Sequence, residues 1–263
     1  MVNATGCCNI AIGSAALFNL CQGGCFNTAV GHSSLYSNTT ASNNTAVGYQ
    51  AGYSNTTGTT STVIGRQAGY SNTTGANTLI GDQAGYFITT GTSNVGVGRY
   101  VLNANAGTNT GNYNVAVGDN ALSSNTTASN NTAVGYQAGY SNTTGSVTAF
   151  GQSSLYSNVT GDGNSAFGVS ALTANTGNYN SAFGWRAGYG NTSGTQNLFV
   201  GYATGYGNTT GGNNTAIGNT ALYTNTTGSY NVALGVDALR LNTTTDSVVA
   251  VGWAAGYSKT TTG

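Results

Sequence analysis

A glycine preceded by Ile, Val, Phe or Leu returns along this chain at positions 13, 31, 48, 65, 81, 98, 118, 135, 151, 168, 184, 201, 218, 235 and 252, mostly 17 residues apart. A short period held over a whole chain predicts a solenoid in which each repeat is one rung stacked on the last. The expected fold class is therefore all-β, a parallel β-solenoid or β-roll of about fifteen 17-residue rungs. Residues 1–26 read as a Cys-containing N-terminal rung or cap, and 27–263 as one continuous repeat array. Ser37–Gly58 and Ser124–Gly145 are identical over 22 residues, five rungs apart, which suggests growth by block duplication.

Composition narrows the interior. Only 38% of the 263 residues are hydrophobic, 42 are Gly and none is Pro. An ordinary domain of this length would bury a broad Leu/Ile/Val core, and this chain lacks the residues for one. Disorder is not the alternative, because the chain is neutral and carries 17 Tyr with many Val and Thr. Five basic and five acidic side chains balance, which leaves no electrostatic footprint for nucleic acid or an acidic membrane surface.

The columns of the repeat are chemically specific. The residue before the anchor Gly is Val, Ile, Phe or Leu, two positions earlier Thr and Val dominate, and Ala is usual between them. Alternation of β-branched residues predicts a short strand, with Thr45 and Val47 expected to fill the core. A small residue three positions after the Gly, such as Ala51 or Ala138, predicts a second strand, and the Asn-Thr-Thr-Gly segments predict the closing turns. The anchor Gly itself is expected to need positive φ or to lack room for Cβ. The absence of Pro fits strands whose N–H groups all bond to a neighbouring rung.

Asn marks both corners. It lies four residues before the anchor at Asn9, Asn27, Asn44, Asn77, Asn94, Asn114, Asn131, Asn164, Asn180, Asn197, Asn214 and Asn231. Amides stacked about 4.8 Å apart can form a ladder, so these residues are the expected Asn ladder. A second Asn column follows seven residues after the anchor. Eight of its members, Asn38, Asn55, Asn72, Asn125, Asn142, Asn208, Asn225 and Asn242, begin Asn-Thr-Thr sequons and are candidate glycosylation sites as well as turn residues.

Other columns carry finer signals. Arg66, Asp82, Arg99 and Asp119 alternate in sign directly after four successive anchors, which favours the same register. Four residues after the anchor stands Leu in eight rungs and Gly in seven, and each of those glycines is followed by Tyr. The Tyr ring, as Tyr53 beside Gly52, is expected to cover the space a Leu would fill.

Here the residues resemble a family. "NTAVGYQAGYSNTTG", "NSAFGVSALTANTG" and "NVAVGDNALSSNTT" resemble the head repeats of YadA-like trimeric autotransporter adhesins, and they look equally like repeats of bacteriophage long tail fibres. The resemblance implies a left-handed parallel β-roll, chains side by side as a trimer, and a location outside the cell or on a virion. It departs from the family in rungs about three residues longer and in the lack of a coiled-coil stalk or membrane anchor. "AGYGNTSGTQN" (Ala187–Asn197) is also similar to ice nucleation repeats, so an ice-binding or ice-nucleating solenoid is the alternative. The recurring threonines of the corner are adjacent in sequence, Thr56-Thr57 and Thr143-Thr144, and in a strand would face opposite ways.

Chemistry is otherwise sparse. His32 is the sole histidine, Glu is absent and the five Asp are scattered, so neither an enzyme nor a cofactor or metal site is expected. "GTNTGNYNVAVG" lacks the Lys and helix of a phosphate loop. Tyr49, Tyr136, Trp185, Tyr202 and Trp253 share the column after the anchor and are candidate glycan-contact aromatics or chain contacts. Cys7, Cys8, Cys21 and Cys25 crowd the N-terminus. Cys7–Cys25 and Cys8–Cys21 disulfides would suit an oxidising location, with free thiols, inter-chain links or a zinc site as the other readings. No stretch reads as a signal peptide or membrane span. The expectation is an extracellular structural or adhesive fibre, or part of a longer one, whose partners are other copies of itself, laterally or end to end, and cell-surface glycans.

Overall fold

The computed structural model describes residues 8–20, 23–104 and 108–258, which form two compact units, one ending at Asn131 and the other beginning at Thr132. The first unit contains β1 (Ile10–Ile12), β2 (Thr28–Val30), β3 (Thr45–Val47), β4 (Thr62–Ile64), β5 (Thr78–Ile80), β6 (Val95–Val97) and β7 (Val115–Val117). The second contains β8 (Thr132–Val134), β9 (Val147–Phe150), β10 (Asn164–Phe167), β11 (Ser181–Phe183), β12 (Leu198–Val200), β13 (Thr215–Ile217), β14 (Val232–Leu234) and β15 (Val249–Val251). Within each unit every strand pairs in parallel with the next, one strand per rung, so both are parallel β-solenoids. The register follows the sequence columns: Thr28, Thr45, Thr62 and Thr78 face one another in turn, as do Val30, Val47, Ile64 and Ile80. The Cys-containing segment contributes a rung, since β1 joins β2 in the same register. Among the described residues there is no helix, and so none long and apolar enough to cross a membrane.

The strand's inward side is the reverse of the expected one. Ala46, Ala116, Ala149 and Ala216 are fully buried, whereas Thr45 and Val47 are half-exposed and Ile64, Ile217 and Phe183 are exposed. A three-residue strand turns either its middle residue or its two ends inward. Here the rung is thin, so the small middle residue faces in and the two β-branched columns face out. Hydrophobicity ranks Val above Ala, and that ranking is what misleads.

No second strand forms in the rungs among the described residues. Within the segment after each anchor, the second and fourth residues have left-handed backbone, as at Gln50 (φ 53°) and Gly52 (φ 61°), or Ser33 (φ 54°) and Leu35 (φ 47°). Extended strands need negative φ, so this wall is a stack of turns. Its N–H groups still bond from rung to rung: Gln50 N to His32 O at 2.9 Å, Gly52 N to Ala68 O at 2.9 Å and Ser54 N to Tyr70 O at 2.9 Å.

Left-handed backbone also explains the Leu/Gly column. Gly fits that conformation without strain and Leu fills the interior despite it. At several of these positions Gly stands beside a bulky strand residue: Gly52 and Gly69 flank Val63, and Gly188 and Gly205 flank Phe199. A Cβ on Gly52 would lie 3.0 Å from Leu35 Cδ2 and 3.2 Å from Val63 Cγ2. The space beside Gly52 is therefore filled from adjacent rungs, and the Tyr53 ring does not cover it but stacks between Tyr36 and Tyr70.

Two substitutions test the backbone argument. At the anchor Gly201, φ is +134° and a Cβ would sit 2.6 Å from Gly218 O. Gly201→Ala should cost at least about 2 kcal/mol from strained φ and the clash combined. Ser170 holds φ at 57°. Ser170→Gly should stabilise by about 0.5–1 kcal/mol, as relief of left-handed strain outweighs the added chain entropy. Urea unfolding of the two variants measures both.

Candidate interaction surfaces

The corner asparagines are structural clamps. In the first unit, Asn44 donates Nδ2–H to Gly58 O at 2.8 Å, and its Oδ1 accepts Ser61 N–H at 2.9 Å. One side chain thus holds both backbone groups of the next rung's corner. Asn27, Asn77, Asn94 and Asn114 repeat the donor bond to Ala41, Gly91, Gly111 and Ala128. Asn9 makes the same bond to Gly24, and Asn114 Oδ1 accepts Asn131 N–H. In the second unit Asn164, Asn180, Asn197, Asn214 and Asn231 donate to Gly177, Gly194, Gly211, Gly228 and Thr245. Only a short amide offers a donor and an acceptor at this reach, since Asp lacks the N–H and Ser the length.

The second Asn column is buried as well. In the second unit side chains bond to one another from Asn142 through Asn158, Asn175, Asn191, Asn208 and Asn225 to Asn242, with N···O distances of 2.6–3.2 Å. The sequon residues Asn38, Asn55, Asn72, Asn125, Asn142, Asn208, Asn225 and Asn242 are all at most 3% exposed. A glycan has no space on them, and the folded rungs exclude that modification. The Thr that follows the corner Asn is also engaged: Thr39, Thr73, Thr143, Thr176, Thr192, Thr209 and Thr226 each donate a hydroxyl to the neighbouring rung's carbonyl.

The outward face of each sheet is the extensive uncharged surface of each unit. It presents the two β-branched columns, and in the second unit Phe150, Phe167 and Phe183 stack at 5.0 and 5.1 Å. Beside it runs the column of Tyr49, Tyr136, Trp185, Tyr202 and Trp253, all exposed, with Trp253 at 81%. Trp185 stacks on Tyr202 at 4.8 Å, and the Arg186 guanidinium lies 4.2 Å from the Trp185 ring. Those contacts occupy ring faces that a sugar would need, which leaves edges to outside partners. In the first unit Tyr49 leans on His32 at 5.6 Å, and the exposed His32 has Nδ1 3.2 Å from Ser14 O.

On the turn wall a third aromatic column forms a ladder. Phe18, Tyr36, Tyr53, Tyr70 and Tyr86 stack at 4.8–5.2 Å in the first unit. Tyr140 stacks on Tyr156, and Tyr189, Tyr206 and Tyr223 on one another, at 5.1 Å in the second. Burial, then the phenols of Tyr86 and Tyr49, raise the Tyr70 pKa above the ordinary value for a phenol. Arg240 continues the second stack, 5.5 Å from the Tyr223 ring and 5.9 Å from Tyr257.

Charged groups among the described residues are engaged between or within rungs. Arg66 grips Asp82 through Nε at 2.7 Å and through a second nitrogen at 3.0 Å, which raises the Arg66 pKa, and Arg99 meets Asp119 at 3.2 Å. Asp237 accepts Thr220 Oγ1–H at 2.6 Å and pairs with Arg240, while Asp162 and Asp246 accept the N–H groups of Ser146 and Ser229. Among the described residues no three of His, Cys and Asp gather as a metal-ligand group. Cys8 is exposed, and Cys25 N–H bonds to Ser42 Oγ at 3.0 Å. Cys7 and Cys21, one partner of each expected disulfide, lie outside the described residues.

Two further columns escaped the sequence reading although both recur visibly. Gln67 Nε2–H donates to Gln50 Oε1 at 3.0 Å and Gln83 Nε2–H to Gln67 Oε1 at 2.8 Å. Six residues before the anchor, Ser42, Asn112, Ser129, Asp162, Asn178, Ser229 and Asp246 each accept a backbone N–H from the rung before. No protein-family model and no curated protein matches the chain.

Asn197 gives the test of the clamp. Asn197→Ala leaves Gly211 O and Asn214 N–H without their side-chain partner in a buried corner. The loss should be about 2–4 kcal/mol, read from a chemical unfolding midpoint. Asn219→Ala, in the variable column after the anchor, should change stability by less than about 0.5 kcal/mol.

Proposed function

We propose that this protein is a non-enzymatic structural or adhesive fibre element that works outside the cell or on a virion. What carries the reading is the outward face of the sheets: uncharged columns of Thr/Val and Val/Ile/Phe in continuous register within each unit. Monomers rarely leave contiguous apolar surface of this regularity open to water. The partner of that face is another copy of the chain packed alongside, and the rim aromatics, chiefly Tyr49, Tyr136, Tyr202 and Trp253, meet a host or surface glycan by their edges, the phenol hydroxyls and the Trp253 indole N–H. The likeness to adhesin-head and tail-fibre repeats supports the same reading.

The test is association state. Ile64 is 36% exposed. Val47→Lys with Ile64→Lys should therefore leave stability within about 1 kcal/mol while converting lateral assemblies to monomers. Sedimentation and negative-stain electron microscopy measure it. A monomeric unaltered chain at all concentrations would overturn the proposal.

Ice binding is the second reading, and one observation favours it. Thr28, Thr45, Thr62 and Thr78 form an outward line on the sheet of the first unit, alternating with Val30, Val47, Ile64 and Ile80. The corner threonines do not serve this reading, because their first hydroxyls are bonded between rungs. An ice-recrystallisation assay of the unaltered chain and of Thr62→Lys separates the two: inhibition that the substitution abolishes selects ice.

A further inference from the structure

We propose that the tyrosine ladders are sites of oxidative cross-linking, which fasten rung to rung through dityrosine bonds. Four phenols, Tyr36, Tyr53, Tyr70 and Tyr86, stack in one column with centroids 4.8–5.0 Å apart and interplanar angles of 4–5°. Tyr189, Tyr206 and Tyr223 repeat the arrangement at 5.1 Å in the second unit. All seven are half-buried, so each keeps an edge open to an electron acceptor while its neighbours are held in place. Coupling of two phenoxyl radicals is ordinarily limited by their encounter, and here the partner is already adjacent.

The chemistry balances with an external one-electron oxidant. Each of two neighbouring phenols gives one electron to one equivalent of oxidant and its O–H proton to water. The two phenoxyl radicals join through a carbon–carbon bond between ring carbons ortho to oxygen. The hydrogens on those carbons then shift to the oxygens and restore both phenols. The sum is loss of two protons and two electrons, and the product bridges residues 16 or 17 apart in sequence. Phe18, which heads the first stack at 5.2 Å from Tyr36, cannot form a phenoxyl and ends the reactive column.

The same chain holds its own controls. Tyr113, Tyr179 and Tyr230 are more exposed, at 63, 59 and 63%, and stack on no other ring among the described residues. If accessibility governed the reaction they would couple first, and if stacking governs it they do not. This inference rests on ring geometry alone and stands whether or not the chain is a fibre.

The experiment treats the full chain, dilute, with a photogenerated ruthenium(III) polypyridyl complex as the oxidant, and maps dityrosine by fluorescence and mass spectrometry of proteolytic fragments. The expected products are intramolecular Tyr36–Tyr53, Tyr53–Tyr70, Tyr70–Tyr86, Tyr140–Tyr156, Tyr189–Tyr206 and Tyr206–Tyr223 links. Tyr53→Phe keeps the stacked ring and should remove the first two of those links while sparing Tyr70–Tyr86. Links made chiefly by Tyr113, Tyr179 and Tyr230, links only between chains, or an equal ladder yield in denaturant would each overturn the proposal.

Discussion

The rung-to-rung hydrogen bond on which the rest depends is the one made by the corner Asn. Backbone ladders alone would stack the strands, but a 17-residue rung must also close, and its closing corner carries carbonyl and N–H groups that would be buried without partners. Asn44 and its equivalents satisfy one of each on the rung that follows. Each such bond adds only about 0.5–1.5 kcal/mol net, whereas a missing one costs about 1–3 kcal/mol in a buried corner. Because every rung touches only its neighbours, these contributions add along each unit. They work against the strain of the 37 non-glycine residues held at positive φ among the described residues.

A closed, thin rung then dictates what can be inside it. The strand contributes Ala, the turn wall contributes Ala or Ser beside Leu or Gly, and bulk is exchanged between adjacent rungs, as when Phe199 is admitted between Gly188 and Gly205. Interior volume admits a β-branched residue at only a few places, as at Val63 and Val147, so most of those that strands favour stand outside. A chain that is only 38% hydrophobic thus buries little of its larger apolar surface and displays the rest in ordered lines. The apolar exterior follows directly from the narrow interior.

What could be read beforehand were the features that depend on period: the number of rungs, the strand positions and register, the Asn corners, and the line of Arg66, Asp82, Arg99 and Asp119, which the structure joins as two ion pairs. What could not be read depends on distances across the rung. Whether Ala46 or Val47 faces inward is undetermined by alternation, because both assignments have period two. The turn wall imitates a strand in composition, since Ala, Leu and Tyr recur there, and only the left-handed backbone at Gln50 and Gly52 distinguishes it. The sequons misled for a related reason: Asn-Thr-Thr is surface chemistry in most chains, but here Asn55 is the interior of a corner. The five Asp, scattered in sequence, each find a partner on a neighbouring or the same rung, and only the stacked geometry reveals that.

The same stacking limits how such a surface can recognise anything. A solenoid that repeats its rungs offers a partner the same contact many times over, so weak contacts multiply when the partner is itself periodic. Aromatic side chains in register cover one another's faces, as Trp185 and Tyr202 do, and so lose the contact that makes isolated rings good glycan platforms. Specific recognition is left to the columns that change between rungs, above all the one after the anchor, where His32, Tyr49, Arg66 and Asp82 follow one another. The repeated columns are committed to holding the rungs together and to the long apolar face, whose natural complement is an equally regular surface. Another copy of the same chain meets that condition without any further adaptation, which is why self-association is the economical reading of the fold.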